Sequence, residues 1–226
     1  DDNFASIELA VEEGRIVYDN ILKSVRYLLS CNIGELLTIF IAIIVGLKSP
    51  LAAIQILWMN LATDMAPALA LAMDPADPGL MKRPPHDPKE KILNKKNLLK
   101  MASAGAFMAL ATLGIFLYYL GNASLAAKAG TMAFCVIIFW QLFYAIEISI
   151  ERRGLGSLNK WVFAASALGI LLQFTVVNVA VLEPVFKTTA LAAEDWIVAL
   201  AIGATGLAAP LLFRTARNAL AGNEKK

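Results

Sequence analysis

Gln55-Ile56-Leu57-Trp58-Met59-Asn60-Leu61-Ala62-Thr63-Asp64-Met65-Ala66-Pro67-Ala68-Leu69-Ala70-Leu71-Ala72-Met73 decides how the rest of the chain is read. The stretch is apolar and long enough to cross a bilayer, yet an amide, a hydroxyl and a carboxylate lie close together inside it. At about 3.6 residues per turn, Asn60, Thr63 and Asp64 stand at i, i+3 and i+4, so a regular helix puts their oxygens on one face. A carboxylate at bilayer depth costs roughly 2.5–3.5 kcal/mol on insertion scales. A cation is the natural compensation. Taken singly, the Asn or the Thr reads as a hydrogen bond to a neighbouring helix. Three such residues on one face, with Pro67 three residues beyond Asp64, read instead as an ion site. Proline has no N–H to donate, so the Thr63 carbonyl loses its helical partner.

The surroundings of this stretch are those of a membrane protein. Hydrophobic residues make up 58% of the chain and the mean hydropathy is +0.64, against about 45–50% apolar residues in an ordinary globular chain. Six apolar stretches, near 24–47, 51–73, 98–120, 126–149, 158–182 and 192–213, approach the roughly 20 helical residues needed to cross about 30 Å of hydrocarbon. The expected fold is an all-α membrane protein of six transmembrane helices. The implied partner is a lipid bilayer, not a nucleic acid. Of the 20 basic residues, only Lys48, Lys128 and Lys187 fall on one side of these spans. The positive-inside rule then places both termini in the cytoplasm. Cys31 and Cys135 fall inside spans and read as small apolar residues. His86 stands alone in a polar loop.

In chain order, residues 1–23 are polar. The pattern Val11, Ile16-Val17, Ile21-Leu22 continues without a breaker into Val25-Arg26-Tyr27-Leu28-Leu29. One helix is expected here, beginning as a cytoplasmic stalk and continuing into the membrane domain, 24–213. The first span carries Asn32 and Glu35 at i and i+3, and Gly34 between them allows a close helix approach. A short turn at Gly46–Pro50 makes the first two spans antiparallel neighbours, so both sets of mid-span oxygens converge. Residues 74–97 form a cytoplasmic loop too rich in proline to be helical in its first half. Its Lys82 and Arg83 can meet acidic groups on a cytoplasmic domain. Gln141 lies in the fourth span. Gln173 and Asn178 in the fifth read as interhelical hydrogen-bonding groups. Residues 214–226 are a basic tail. The opening Asp1-Asp2-Asn3 lacks a Met or a basic leader and reads as the later part of a longer protein.

Asp1-Asp2-Asn3-Phe4-Ala5-Ser6-Ile7, Glu12-Glu13-Gly14-Arg15 with Tyr18-Asp19-Asn20-Ile21, Ser30-Cys31-Asn32-Ile33-Gly34-Glu35, and Leu57-Trp58-Met59-Asn60-Leu61-Ala62-Thr63-Asp64 together resemble the carboxyl-terminal membrane half of a P-type cation-transporting ATPase. The similar group contains the calcium pumps and the sodium/potassium pumps, and the resemblance runs over nearly the whole chain. It implies that the six spans are the fifth to tenth of the family's ten. It implies that Asn32, Glu35, Asn60, Thr63 and Asp64 occupy metal-ligand positions, and that Gln141 matches a ligand position in the eighth helix. The residues alone point to the first five; Gln141 alone reads as a structural amide. The implied partners are the pump's cytoplasmic domains, touched by the 74–97 loop, and its first four transmembrane helices. ATP and magnesium would bind those cytoplasmic domains. The phosphorylated aspartate of a DKTGT motif is absent from this sequence, so the segment is not expected to hydrolyse ATP alone. The expected setting is the plasma membrane of a prokaryote.

Calcium wants six to eight oxygens, with carboxylate and carbonyl mixed. Asn32, Glu35, Asn60, Thr63, Asp64 and Gln141 supply most of such a shell, and two carboxylates neutralise one divalent ion. The similar sodium/potassium pumps carry a carboxylate at the position of Asn60. Against calcium, Gln141 stands where two-calcium pumps have glutamate. Thr63-Asp64-Met65 and Leu80-Met81-Lys82-Arg83 also read like the sodium/potassium branch. Calcium export is the preferred reading, with a sodium or potassium pump or another divalent ion as alternatives. A stand-alone membrane protein or secondary transporter is the other functional class, and the inverted repeats that would favour it are not seen.

Overall fold

The computed structural model describes residues 4–84, 94–151, 153 and 159–208, and every regular element among them is helical. Part of the 74–97 loop, including His86, and the 214–226 tail lie outside the described residues. Helix α1 (Phe4–Ile44) is unbroken over 41 residues, about 60 Å at 1.5 Å per residue. That is about twice the thickness of a hydrocarbon core. Helices α4 (Lys95–Gly121) and α5 (Ala129–Ile150) follow the third and fourth expected spans. Helix α6 (Lys160–Asn178) ends four residues before the expected boundary at 182, where α7 (Glu183–Phe186) forms a single turn. Helix α8 (Ala193–Gly203) continues as a tighter turn over Ala204–Ala208. Among the described residues, four helices are long and apolar enough to cross a membrane.

The stretch 51–73 departs from a regular span. It forms α2 (Ala53–Trp58), a wide π turn (Met59–Thr63) and α3 (Met65–Ala72). The Asp64 N–H reaches the Met59 carbonyl at 2.9 Å, an i to i+5 bond, so the simple i, i+3, i+4 geometry expected for Asn60, Thr63 and Asp64 does not hold. Pro67 supplies the physical reason. Breaking the helix at Asp64 places Pro67 in the first turn of α3, where a missing N–H costs nothing.

Helix α5 runs through the middle of the bundle. Met132 to Trp140 are completely buried, and α4, α6 and α8 pack around them. Helix α1 lies along α4 at near backbone contact. A Cβ built on Gly105 would stand 2.9 Å from both the Gly34 nitrogen and the Ser30 carbonyl. Gly34 therefore gives the close approach expected of it, with Gly105 as the partner residue that makes it possible. Cys31 and Cys135 are free thiols in this core. Gln173 bridges helices, donating to the Cys135 sulfur at 3.5 Å. Asn178 does not: its amide returns to the Phe174 carbonyl of its own helix.

Each end of the bundle is closed by a polar cluster. At one end Asp74 is buried and accepts from Lys23 at 3.0 Å, Arg153 at 2.8 Å, Ser149 at 2.9 Å and Asn159 at 2.7 Å. Asp77 joins it through Lys23 at 3.1 Å and Arg83 at 3.2 Å. Arg83 also pairs with Asp19 at 2.7 Å, and Arg15 donates to the Leu80 and Arg83 carbonyls. Of the two loop cations, Arg83 is thus engaged within the chain and Lys82 is exposed. Arg15, Asp19, Asn20, Lys23 and Ser24 recur at helical spacing, so one face of α1 grips the end of α3 and the loop that follows it. Nearby, Glu151 pairs with Arg26 and Lys100. Burial alone would raise the Glu151 pKa; Arg26 and Lys100 outweigh it and hold the group below the ordinary carboxylate range. At the opposite end Asp195 accepts from Tyr119 at 2.6 Å and Lys128 at 2.7 Å.

The glycine contact is testable. Gly105→Ala puts a methyl group against backbone atoms that cannot yield, and is expected to destabilise by about 1–3 kcal/mol. Gly114→Ala meets no neighbouring atom and should be neutral or stabilising by up to about 1 kcal/mol. Thermal unfolding of both variants in the same detergent and at the same scan rate checks this. Equal midpoints would remove the α1–α4 backbone contact from the packing argument.

Candidate ion site

Three elements meet at Glu35. It sits on α1 one turn after Asn32 and is 3% exposed. Asn60, on the π turn, donates to Glu35 Oε2 at 2.9 Å, and Gln141, on α5, donates to Oε1 at 2.8 Å. Each carboxylate oxygen therefore holds one amide from a different element. The second carboxylate, Asp64, is fully buried at the end of the π turn. Its Oδ1 accepts from the Tyr27 hydroxyl at 3.2 Å. Among the described residues its Oδ2 is buried without a hydrogen-bond partner, as is Gln141 Oε1.

The other two expected ligands are placed differently. Thr63 is buried and its hydroxyl donates to the Met59 carbonyl at 3.0 Å. That carbonyl thus accepts both Thr63 Oγ1 and the Asp64 N–H. Asn32 is half-buried and donates to the Leu28 carbonyl at 2.8 Å. Hydrogen bonds thus join Glu35, Asn60 and Gln141 directly, while Thr63 and Asn32 spend their donors on their own helices. The oxygens of all six remain acceptors, and their hard-oxygen character suits calcium, magnesium or an alkali ion. Among the described residues no group of three or more His, Cys, Asp and Glu comes together, so a soft-metal centre of that kind is not formed there.

Reasoning from the sequence missed Tyr27. It lies on α1 two turns before Glu35 and is completely buried. A buried tyrosine hydroxyl needs a partner, but only the fold shows that the partner is Asp64. A second cluster runs from the site toward the Glu151 end of α5. Tyr144 meets the Ser30 hydroxyl at 3.3 Å and accepts from Arg26 Nε at 3.2 Å, while Arg26 Nη2 stands 3.6 Å from Glu147. Glu147 reads from the sequence as the polar close of a span, yet it is 3% exposed.

Residues 48–215 match the family model for the carboxyl terminus of cation-transporting ATPases. The chain is 38% identical over 208 residues to a calcium-transporting ATPase of Bacillus subtilis, a match covering 90% of this chain and 23% of that protein. It is 38% identical over 216 residues to calcium-transporting ATPase 1 of Bacillus cereus, covering 87% of this chain and 24% of that protein. The chain therefore spans about a quarter of the length of these relatives. On these matches, and with apolar helices carrying paired carboxylates, the chain belongs to the P-type cation-transporting ATPases and is a carboxyl-terminal part of one.

Proposed function

We propose that this chain is the ion-binding and ion-translocating membrane part of an ATP-driven cation pump, and that calcium is its transported ion. The observation that carries the reading is the buried carboxylate pair. Glu35 is held by Asn60 and Gln141 from two other elements, and Asp64 Oδ2 has no partner among the described residues. Two carboxylates in an apolar interior need compensating positive charge. Here two amide N–H groups stand where a cation would bring that charge. When calcium enters as substrate, turning the Asn60 and Gln141 amides presents their oxygens in place of their N–H groups. Asp64, Thr63 and Asn32 complete an oxygen shell of the size calcium requires. With Glu35 and Asp64 ionised, one divalent ion is neutralised. The names of the two relatives, both calcium-transporting ATPases, support this choice of ion.

In this reading the chain crosses the membrane six times. The α2–π turn–α3 unit is one crossing, and α8 with the Ala204–Ala208 turn belongs to another. The first half of α1 projects into the cytoplasm as a stalk, and the one-sided distribution of basic residues supports cytoplasmic termini, at a prokaryotic plasma membrane. ATP and magnesium act on cytoplasmic domains outside this chain, and the Arg15–Arg83–Asp19 contacts tie the stalk to the 74–84 loop below them. Ion occupancy at the π turn and the position of α1 are then mechanically connected.

In the complete pump, Asp64→Asn should abolish calcium-dependent phosphorylation by ATP, a loss of at least about a hundredfold in calcium affinity, beyond that usual for groups that merely orient a ligand. Normal calcium dependence in that variant would overturn the site. Asn60→Asp adds a third carboxylate and should weaken discrimination of calcium against sodium and potassium. The ATPase rate against each ion, with calcium chelated in the monovalent assays, measures this. Full stimulation of the unmodified chelated enzyme by sodium or potassium would replace calcium with a monovalent ion. Arg83→Ala breaks the pairs with Asp19 and Asp77 and should slow turnover more than it raises the half-saturating calcium concentration. The opposite pattern would assign the loop to the ion site.

A further inference from the structure

The two halves of the broken helix are held by different parts of the molecule. Helix α3 is tied through its carbonyls: Ser24 donates to Ala68 at 2.9 Å, Asn159 to Ala70 at 2.9 Å and Asn20 to Ala72 at 3.3 Å. These donors come from α1 and from the residue that caps α6. Helix α2 is moored elsewhere. Gln55 is 2% exposed and uses both ends of its amide. Its Oε1 accepts from the Ala52 N–H at 2.9 Å and so starts α2, while its Nε2 donates to the Phe186 carbonyl at 2.9 Å. That carbonyl is available because α7 ends there. Lys187 adopts a left-handed conformation, φ 54°, and the Lys187 and Thr188 N–H groups both turn back to the Glu183 carbonyl. The last carbonyls of the turn are left without helical donors. The Phe186 ring also stands edge-on to Trp58, centroids 5.2 Å apart, so one residue of α7 holds α2 at two points a turn apart.

Asn60 lies five residues beyond Gln55, about 7–8 Å along the helix. The depth and rotation of α2 therefore pass directly to the amide that faces Glu35. We propose that Gln55 is a positioning residue for the ion site: by mooring α2 to α7 it sets how Asn60 meets Glu35, independently of the ties on α3. The π turn is the joint between the two moorings, so α3 follows α1 and α6 while α2 stays with α7. The proposal rests on the reading of Glu35, Asn60 and Asp64 as ion ligands.

The test uses the complete pump and calcium. Gln55→Leu keeps the bulk of the side chain and removes both hydrogen bonds. It should raise the calcium concentration for half-maximal ATPase by about tenfold, the scale found when a group that orients a metal ligand is lost, and retain most of the maximal rate at saturating calcium. A general structural defect would instead lower the maximal rate without moving half-saturation. Gln173→Leu, which removes an equally buried amide on α6 facing Cys135, should leave half-saturation unchanged. An equal shift in Gln173→Leu, or none in Gln55→Leu, overturns the mooring role. If Gln55→Leu yields no active protein, Gln55→Asn keeps the amide but shortens its reach, and an unshifted half-saturation there overturns the proposal. The ion-site reading fails separately, through normal calcium dependence in Asp64→Asn.

Discussion

A carboxylate inside an apolar bundle has to be compensated where it stands, and Glu35 is where that requirement shapes this protein. Leaving it unpaired would cost several kcal/mol. The compensation cannot come from α1, whose own amide groups are committed to the helix. It comes from Asn60 and Gln141 on two other elements, so α1, the broken helix and α5 must meet at one depth. The near backbone contact of Gly34 with Gly105 holds α1 against α4 next to this point. The buried run of α5 fills the space behind it. Compensation by neutral amides is partial, and the cation of the proposed function would complete it.

The break at the π turn follows from the same economy of backbone groups. In lipid, each carbonyl released from a helix needs another donor. At the far end of α3, away from the break, the carbonyls of Ala68, Ala70 and Ala72 receive such donors as side chains from Ser24, Asn159 and Asn20. On the other half, Gln55 caps the start of α2 and ties it to α7. A helix interrupted in this way is positioned at its ends instead of being stiff through its middle, and the ion-ligand candidates occupy that middle. The buried Asp74 cluster serves one end of the bundle: three elements and the loop converge on one carboxylate, and removing one member of such a set is far costlier than never having built it.

Much of this was legible from residue order alone. Helix α1 could be read as one piece because residues 11–29 contain no proline and a single Gly14 is tolerated within the helix. Glu35 and Asp64 could be singled out because charge is rare in apolar runs and costly there. The polarity pattern around Asn60 and Thr63 marked the same spot. These are local properties, carried by composition and by spacing along a single helix. What only the tertiary structure decided is which groups meet across elements. Tyr27 on Asp64, Gln141 on Glu35, Arg83 on Asp19 and Gln55 on Phe186 are separated by between 37 and 131 positions, and a side chain carries no mark of a partner so distant. The π turn belongs with them. Pro67 announces that a helical bond will be lost, but whether the chain kinks, unwinds or widens depends on how its two halves are held, α3 by α1 and the α6 cap and α2 by α7.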